Sequence, residues 1–314
     1  YAMVVAGAGI AAEDSLNQKD SDYKKPANQH QINTRSSRQP LPLVYGETQI
    51  GVNKTYYLKN NPYLWIVCEI GEGPLEGIKK QDGTYYTTTD TSITDTANPV
   101  LVYFDEKLWT NYGGTSNVWM KFYDGSSTQT VCSDLATASG GAWTEPLRYT
   151  AYLVVRLKFH LDYFKQEPDI TLVVRGVNVT DPIASTTAWT ANPALCAYDF
   201  LTRPSQRGGL EIDTARIDTT SLETARDYCT AKGWTCNLPL TDQQAASDNL
   251  EHILACYRGA IIYSEAKFKF RFADLNYEAI SINLTENDVV EGSLTIALPD
   301  ISERPNAICA THYD

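Results

Sequence analysis

The residues with the clearest chemical spacing stand at the start of the chain. AMVVAGAGIAAED reads as a strand running into Gly7-x-Gly9-x-x-Ala12, the glycine pattern of a dinucleotide-binding turn. That chemistry needs a helix directly after the glycines to hold the pyrophosphate. It also needs an acidic residue about 20 positions on, at the end of a second strand. Residues 13–40 instead are polar and aperiodic, with Pro26 interrupting any helix. The apolar run Tyr1–Ala12 is thus read as a Gly/Ala-rich segment that packs closely against another chain. It is also shorter than the roughly 20 residues of a membrane helix, and it lacks the basic start of a signal peptide.

Metal and catalytic patterns are weaker. His30, His160, His252 and His312 show no H-x₃₋₅-H spacing and no neighbouring cysteine pair, so no metal is assigned. Paired carboxylates for glycoside hydrolysis need one acid of raised pKa and a second about 5–10 Å away. Glu69 and Glu72, Asp213 and Asp218, and Asp162 are the candidates by position, but Glu69 and Glu72 straddle a turn and Asp218 reads as a helix cap. No G-x-S-x-G, phosphate-binding loop or Cys/His nucleophile arrangement is present. No catalytic, cofactor-binding or metal-binding residue and no cofactor is therefore assigned. The seven cysteines (Cys68, Cys132, Cys196, Cys229, Cys236, Cys256, Cys309) are scattered without a C-x-x-C pair. Cys68 and Cys256 lie in apolar runs, which suits free thiols folded in a reducing compartment.

The elements that must position such residues follow from composition and period. The chain has 314 residues, 43% hydrophobic and 20% charged, with 26 basic against 38 acidic residues, a formal net charge of −12, and 20 Tyr and 6 Trp. This is a folded, acidic chain of about two domains by length, leaning toward β structure and contact surfaces, and it repels phosphate backbones. LPLVYGETQIG and YYLKNNPYLWIVCEIGEG are strand-like, with Pro42 at a strand start and Gly46 and Gly51 at turns. Residues 81–146, rich in Thr, Ser, Asp and Gly, read as a small all-β insertion with strands at Val100–Phe104 and Val118–Tyr123. Tyr149–Phe159 and Ile170–Val179 read as buried strands.

Helices are expected from residue 183 onward. Asn192-Pro193 gives an N-cap with Pro at the first helical position, ahead of Ala194, Ala197, Tyr198 and Leu201 at helical spacing. Arg203-Pro204 and Gly208-Gly209 end that helix, with Trp189 placed to cover its start. A second helix runs from Thr220/Ser221 to Lys232, closed by Gly233. A third starts at Asp242 with Gly259 as its stop. A hairpin, Ala260–Tyr263 with Lys267–Phe272, follows, and strands are expected at 279–284, 293–297 and 307–313. The absent initiator Met and the strand-like run up to Asp314 suggest part of a longer polypeptide. Substituting Asn192 by Ala is expected to cost about 1 kcal/mol from the cap alone.

Five phrases then fall in a recognisable order: RQPLPLVYGETQIG, YLWIVCEIGEGPLEGI, YTAYLVVRL, PDITLVVRGVNVTDP, and WTANPALCAYDFLT leading into RGGLEIDTARID. Together, over roughly residues 38–78 and 147–314, they resemble the N-terminal half of phage tail tip proteins of the lambda-like tip attachment, or host specificity, protein J family. The resemblance implies an α+β, β-rich fold of barrel-like tail hub domains. Its parts would be an N-terminal apolar segment and arm (1–40), a first β-rich hub domain (41–80 with 147–182), the insertion (81–146), and a second α+β hub domain (183–314). It further implies a structural protein rather than an enzyme, a homotrimer that closes the tail tube and organises host attachment and DNA passage. The expected partners are the distal tail, tape measure and tip proteins. A host receptor would be met through regions outside this chain, and the membrane transiently at ejection, without specific nucleic-acid binding. The locations implied are the virion tail tip and, during assembly, the host cytoplasm.

The structural motif expected to carry that role comprises Pro42, Tyr45, Gly46, Gly71, Gly73, Trp189, Asn192, Pro193, Gly208, Gly209 and Asp218. Tyr and Trp would anchor subunit contacts, and the net negative charge would suit a channel past which DNA slides. The competing readings are a tail-associated cell-wall or polysaccharide-degrading enzyme, and a carbohydrate-binding adhesin.

Overall fold

Alternating side chains along two long strands generate the architecture. A computed structural model describes residues 33–35, 40–160, 162–164, 166–240 and 245–273. The N-terminal glycine pattern, His30, His312, Asp242, Cys309 and the runs at 279–284, 293–297 and 307–313 lie outside the described residues. The chain divides at Phe272/Ala273 into two units, and every element below belongs to the first.

The strands are β1 (Leu43–Tyr45), β2 (Glu47–Gly51), β3 (Asn53–Asn60), β4 (Tyr63–Glu72), β5 (Leu75–Lys79), β6 (Tyr85–Tyr86), β7 (Val102–Phe104), β8 (Lys107–Leu108) and β9 (Val118–Tyr123). After helix α1 (Ser133–Ala138) come β10 (Thr150–Lys158), β11 (Ile170–Asp181) and β12 (Thr186–Trp189). Then follow α2 (Pro193–Thr202), α3 (Thr219–Lys232), β13 (Leu238–Leu240), α4 (Ala246–Ala255) and the hairpin β14 (Gly259–Ser264) and β15 (Lys267–Phe272). The fold is thus α+β and β-rich.

One antiparallel sheet has the order β3-β4-β10-β9. β4 and β10 are buried along most of their length, and the pleat sorts their side chains by parity. Ile66, Cys68 and Ile70, with Leu153, Val155 and Leu157, enter the main core. Trp65 and Val67, with Tyr152 and Val154, face the other way into a second cluster. A sheet buried on both faces reads as a near-continuous apolar run, as YLWIVCEI and YLVVRL do.

The second sheet is built around β11, which pairs with β2, β5, β7 and β12 along its length. Four partners fit on one strand because each is short and β11 has two edges: β2 and β7 both pair with Thr171 and Leu172, from opposite sides. The helices pack behind this sheet, α2 against β11 and α3, and α4 against α2.

The stretch 81–146 differs from the expectation of an all-β insertion. Its β9 is the edge of the first sheet, and its β7 pairs with β11 in the second. It also contains α1 and two 3-10 turns, Trp109–Tyr112 and Gly114–Ser116. Cys132 and Leu135 from around α1, with Trp143, cover the outward face of β4 and β10. The Thr/Ser/Gly wording hid this because the covering residues are few and far apart. The third helix starts at Ala246, and Gly259 opens β14 instead of ending the helix, which stops at Ala255.

Burial raises the pKa of the phenols of Tyr45, Tyr123, Tyr152 and Tyr257. It also raises the Cys229 thiol to about 11 and the Cys68 thiol to about 12. In the unfolded chain these groups lose protons near about pH 8.5 and pH 10. Between those values and the native ones the folded state holds more protons, so stability is complete below about pH 8.5 and falls as pH rises. Phenolate absorbance read alongside circular dichroism should show exposed tyrosines titrating freely near about pH 10 and the buried ones only as structure is lost. Unchanged stability up to about pH 11 would contradict these burial assignments.

Candidate functional site

The short strand β1 passes between the end of β4, the middle of β11 and helix α2, and it does so by backbone-to-backbone contact. The Pro42 carbonyl accepts from the Glu72 amide at 2.8 Å, and the Gly46 carbonyl accepts from the Gly176 amide at 2.7 Å. A side chain at Gly176 would place its Cβ 2.0 Å from the Val44 carbonyl oxygen; at Gly71 it would lie 2.6 Å from the Pro42 oxygen. Neither contact can relax, because the opposing atoms are backbone. Gly46 has φ +66° in the turn from β1 to β2, and its missing Cβ leaves room for the Cys236 carbonyl. Gly73 lies against Asp124 and Gly125, Gly208 caps a 3-10 turn with φ +81°, and Gly209 lies against the Arg203 carbonyl.

Side chains lock the same junction. Tyr45 is fully buried, and its hydroxyl donates to Asp199 Oδ2 at 2.7 Å. Arg203 Nε donates to that oxygen at 2.8 Å, one helical turn along α2. Burial, then the Asp199 carboxylate, hold the Tyr45 phenol well above its usual value, so it remains a donor. Arg207 donates from Nε to Glu72 and from Nη2 to the Gly73 carbonyl, tying the turn after α2 to the end of β4. Pairs this shielded are worth most as constraints on geometry, since removing one partner leaves a buried charge.

Asn192 caps α2 as expected, accepting from the Ala194 and Leu195 amides at 3.1 and 3.4 Å, with Pro193 at the first helical position. Its amide also donates to the Arg226 carbonyl at 2.9 Å and to Thr230 Oγ1 at 3.1 Å. The cap of α2 therefore also joins α2 to α3. Asp218 caps α3 by accepting from the Ser221 amide at 2.8 Å, which holds its carboxyl below the usual range.

Trp189 does another task than the one expected. Its ring stacks on the Arg175 guanidinium at 3.9 Å, with Tyr85 on the opposite side at 3.5 Å, and its Nε1 donates to the Gly46 carbonyl at 3.3 Å. Arg175 sits in β11, where its neighbours are apolar, and a guanidinium there needs aromatic faces to lie against.

The catalytic candidates are dispersed over structural ties. Glu69 is half-buried, and partial desolvation raises its pKa, while it accepts from Asn53 Nδ2 at 3.1 Å. Glu72 is paired with Arg207, Asp213 caps a 3-10 turn through the Ala215 amide, and the Asp162 side chain is exposed beside His160. Among the described residues no group of three or more His, Cys, Asp or Glu could hold a metal ion, and no helix is long and apolar enough to cross a membrane. Arg175, Arg203, Arg207 and Glu167 escaped the sequence reading. Arg175, inside LVVRGV, and Arg203, just after the apolar helix run, carry the signal of a charge in or beside apolar text; Arg207 and Glu167 stand in polar stretches and carry none.

No family model and no curated protein matches the chain. Among solved structures, a chain described as "Virion of native gene transfer agent (GTA) particle" is similar in course. The two share 15% sequence identity with a TM-score of 0.48, over 92% of this chain and 69% of that one.

Two substitutions test the junction by thermal or denaturant unfolding. Gly176→Ala should destabilise by about 3 kcal/mol or more, because a backbone carbonyl must move. Gly83→Ala, at φ +86° with open space around it, should cost only about 1 kcal/mol. Equal effects would show that β1 can shift to make room. Asn192→Ala should cost about 2 kcal/mol, above a cap alone, since the helix-to-helix bonds go with it; an unchanged melting temperature would remove Asn192 from the joint.

Proposed function

We propose that the chain is a structural component of a phage-like tail tip: a baseplate hub that trimerises, closes the end of the tail tube and organises host attachment and DNA passage. The observation that carries this reading is the convergence of the five family-like phrases. Pro42–Gly46, Gly71–Gly73, the β10 partner of Gly71, Gly176, Asp199 of α2 and Arg203 just after it meet at one junction. Chance matches to five short phrases would scatter over a structure; these build one joint whose glycines admit no side chain.

In this reading the motif residues hold the subunit rigid, and contacts form on its surface. Tyr57, Tyr149, Phe159, Tyr163, Ile262 and Tyr263 are large exposed side chains of the kind that anchor protein interfaces. The partners are two further copies of the chain and other tail proteins. The site of action is the virion tail tip, with assembly in the host cytoplasm. The domain division at residues 41–80 with 147–182 and at 183–314 belongs to the same proposal, as does the path of DNA past an acidic surface. The rigid body so described uses its motif residues for geometry and needs no enzymatic chemistry.

Sedimentation equilibrium or light scattering of the purified chain should give the mass of a trimer that persists on dilution. A monomer at high protein concentration would count against the hub. Incubation with peptidoglycan or lipopolysaccharide should release no reducing ends; their release would replace the hub with the degrading-enzyme reading.

A further inference from the structure

An apolar groove lies beside the place where the N-terminal arm joins the fold. Its two adjoining hollows, about 180 and 300 Å³, share Leu64 and Phe159. Pro62 walls one side, Leu157 and Phe164 wall the other, and Glu167 stands at the rim. Phe159 is 66% exposed, although it follows a strand buried along most of its length. The open Phe159 ring and the apolar walls beside it offer a contact that an apolar segment of modest size can fill.

The arm is fastened at that same rim. Thr34 bridges to Asn53, with its amide donating to the Val52 carbonyl at 3.1 Å. Asn33 exchanges two bonds of 2.9 Å with the backbone of Ile170. Arg35 donates to Glu167 Oε2 at 2.8 Å, while the Glu167 Oε1 atom holds the buried Lys54 at 2.9 Å. Three successive arm residues are therefore tied to the fold, and the last of them, Arg35, reaches the groove rim at Glu167.

Upstream lie the polar residues 13–32 and then the apolar run Tyr1–Ala12, whose larger aliphatic side chains are Met3, Val4, Val5 and Ile10. The groove has room for a few side chains of that kind. Twenty residues can span up to roughly 70 Å, far more than is needed to reach a groove beside their own anchor and enough to cross to a neighbouring subunit. A polar tether that joins an apolar run to an anchor at the rim of an apolar groove has the construction of an exchanged arm.

We propose that Tyr1–Ala12 of one copy fills the Leu64/Phe159 groove of the neighbouring copy, so that exchanged arms fasten the assembly. The proposal rests on the trimeric reading above. Its occupant is this chain's own N-terminal segment, supplied by another subunit. Polar residues 13–32 then run across the surface between copies as a strap. The Arg35–Glu167 pair holds the root of each outgoing arm beside the groove that receives the incoming one.

The test places a photo-crosslinking phenylalanine at position 4 of the full-length chain in place of Val4. Sedimentation is read on the same sample, and cross-linked peptides are mapped by mass spectrometry. The expected result is a trimer whose cross-links join residue 4 to peptides containing Pro62–Leu64 or Leu157–Phe164, in bands of more than one chain. Phe159→Asp should lower these cross-links about tenfold while leaving the circular dichroism spectrum of each subunit unchanged, because the ring is 66% exposed within its own chain. A trimer cross-linked elsewhere overturns the arm exchange and leaves the hub standing. Groove cross-links confined to single chains overturn the exchange between copies, and a monomer overturns both readings.

Discussion

Steric exclusion of side chains along β1 is the constraint from which the rest of the unit takes its geometry. Where two backbones approach to hydrogen-bonding distance edge-on, a Cβ between them is intolerable, and glycine is the one residue that permits the contact. Gly71 and Gly176 face the carbonyls of Pro42 and Val44 across such gaps. Because β4 and β11 belong to different sheets, these contacts fix one sheet relative to the other. The Tyr45–Asp199–Arg203 and Arg207–Glu72 ties extend that fixation to α2 and the turn after it. A joint made of backbone and buried pairs resists sliding, which a joint made of aliphatic side chains tolerates more readily.

The two-faced sheet imposes a second demand. Since β4 and β10 bury both faces, a layer must cover the outer one, and residues around α1 supply it. The aromatic content concentrated there serves that cover. Tyr123 and Tyr152 stack at 4.5 Å, Tyr56 meets Trp143, and Arg156 lies over Tyr63, Trp65 and Trp119. Flat rings with a polar tip can close a thin layer while still meeting water at its margin. The abundance of Tyr and Trp thus has two origins in this molecule, an internal lid and a set of exposed side chains.

What was legible in the sequence followed from local rules. The Asn192-Pro193 cap, the Gly233 stop, with φ +67°, and the alternating KFKFRF strand each depend on neighbours within a few residues. The buried runs of β10 and β11 were legible for the same reason, as continuous β-branched text. Partners distant in sequence were not. Nothing in Trp189 says that its ring will meet Arg175 rather than the helix it precedes. Nothing in the Thr- and Ser-rich text of 81–146 says that β9 will edge the first sheet. Each phrase read alone gives no reason for its glycines; the approach of β1 to Gly71 and the β1–β2 turn at Gly46 supply it.

Most of the shifted or paired ionisable groups follow one pattern, Glu69 with its raised pKa excepted. Burial keeps the phenols of Tyr45, Tyr123 and Tyr152 and the thiols of Cys68 and Cys229 in their protonated forms. Asp218 caps a helix, Glu72 answers Arg207, and Glu167 joins buried Lys54 to the arm at Arg35. A nucleophile or general base works best with a pKa near the working pH and a free approach for its substrate; these groups have been moved away from that range or closed in by partners. Their arrangement suits a body that must keep its shape while its surface makes the contacts. Rigidity of this kind follows from the way buried donors and acceptors at the joint, such as Tyr45 and Asp199, are answered, since a small rotation there would leave a buried partner unpaired.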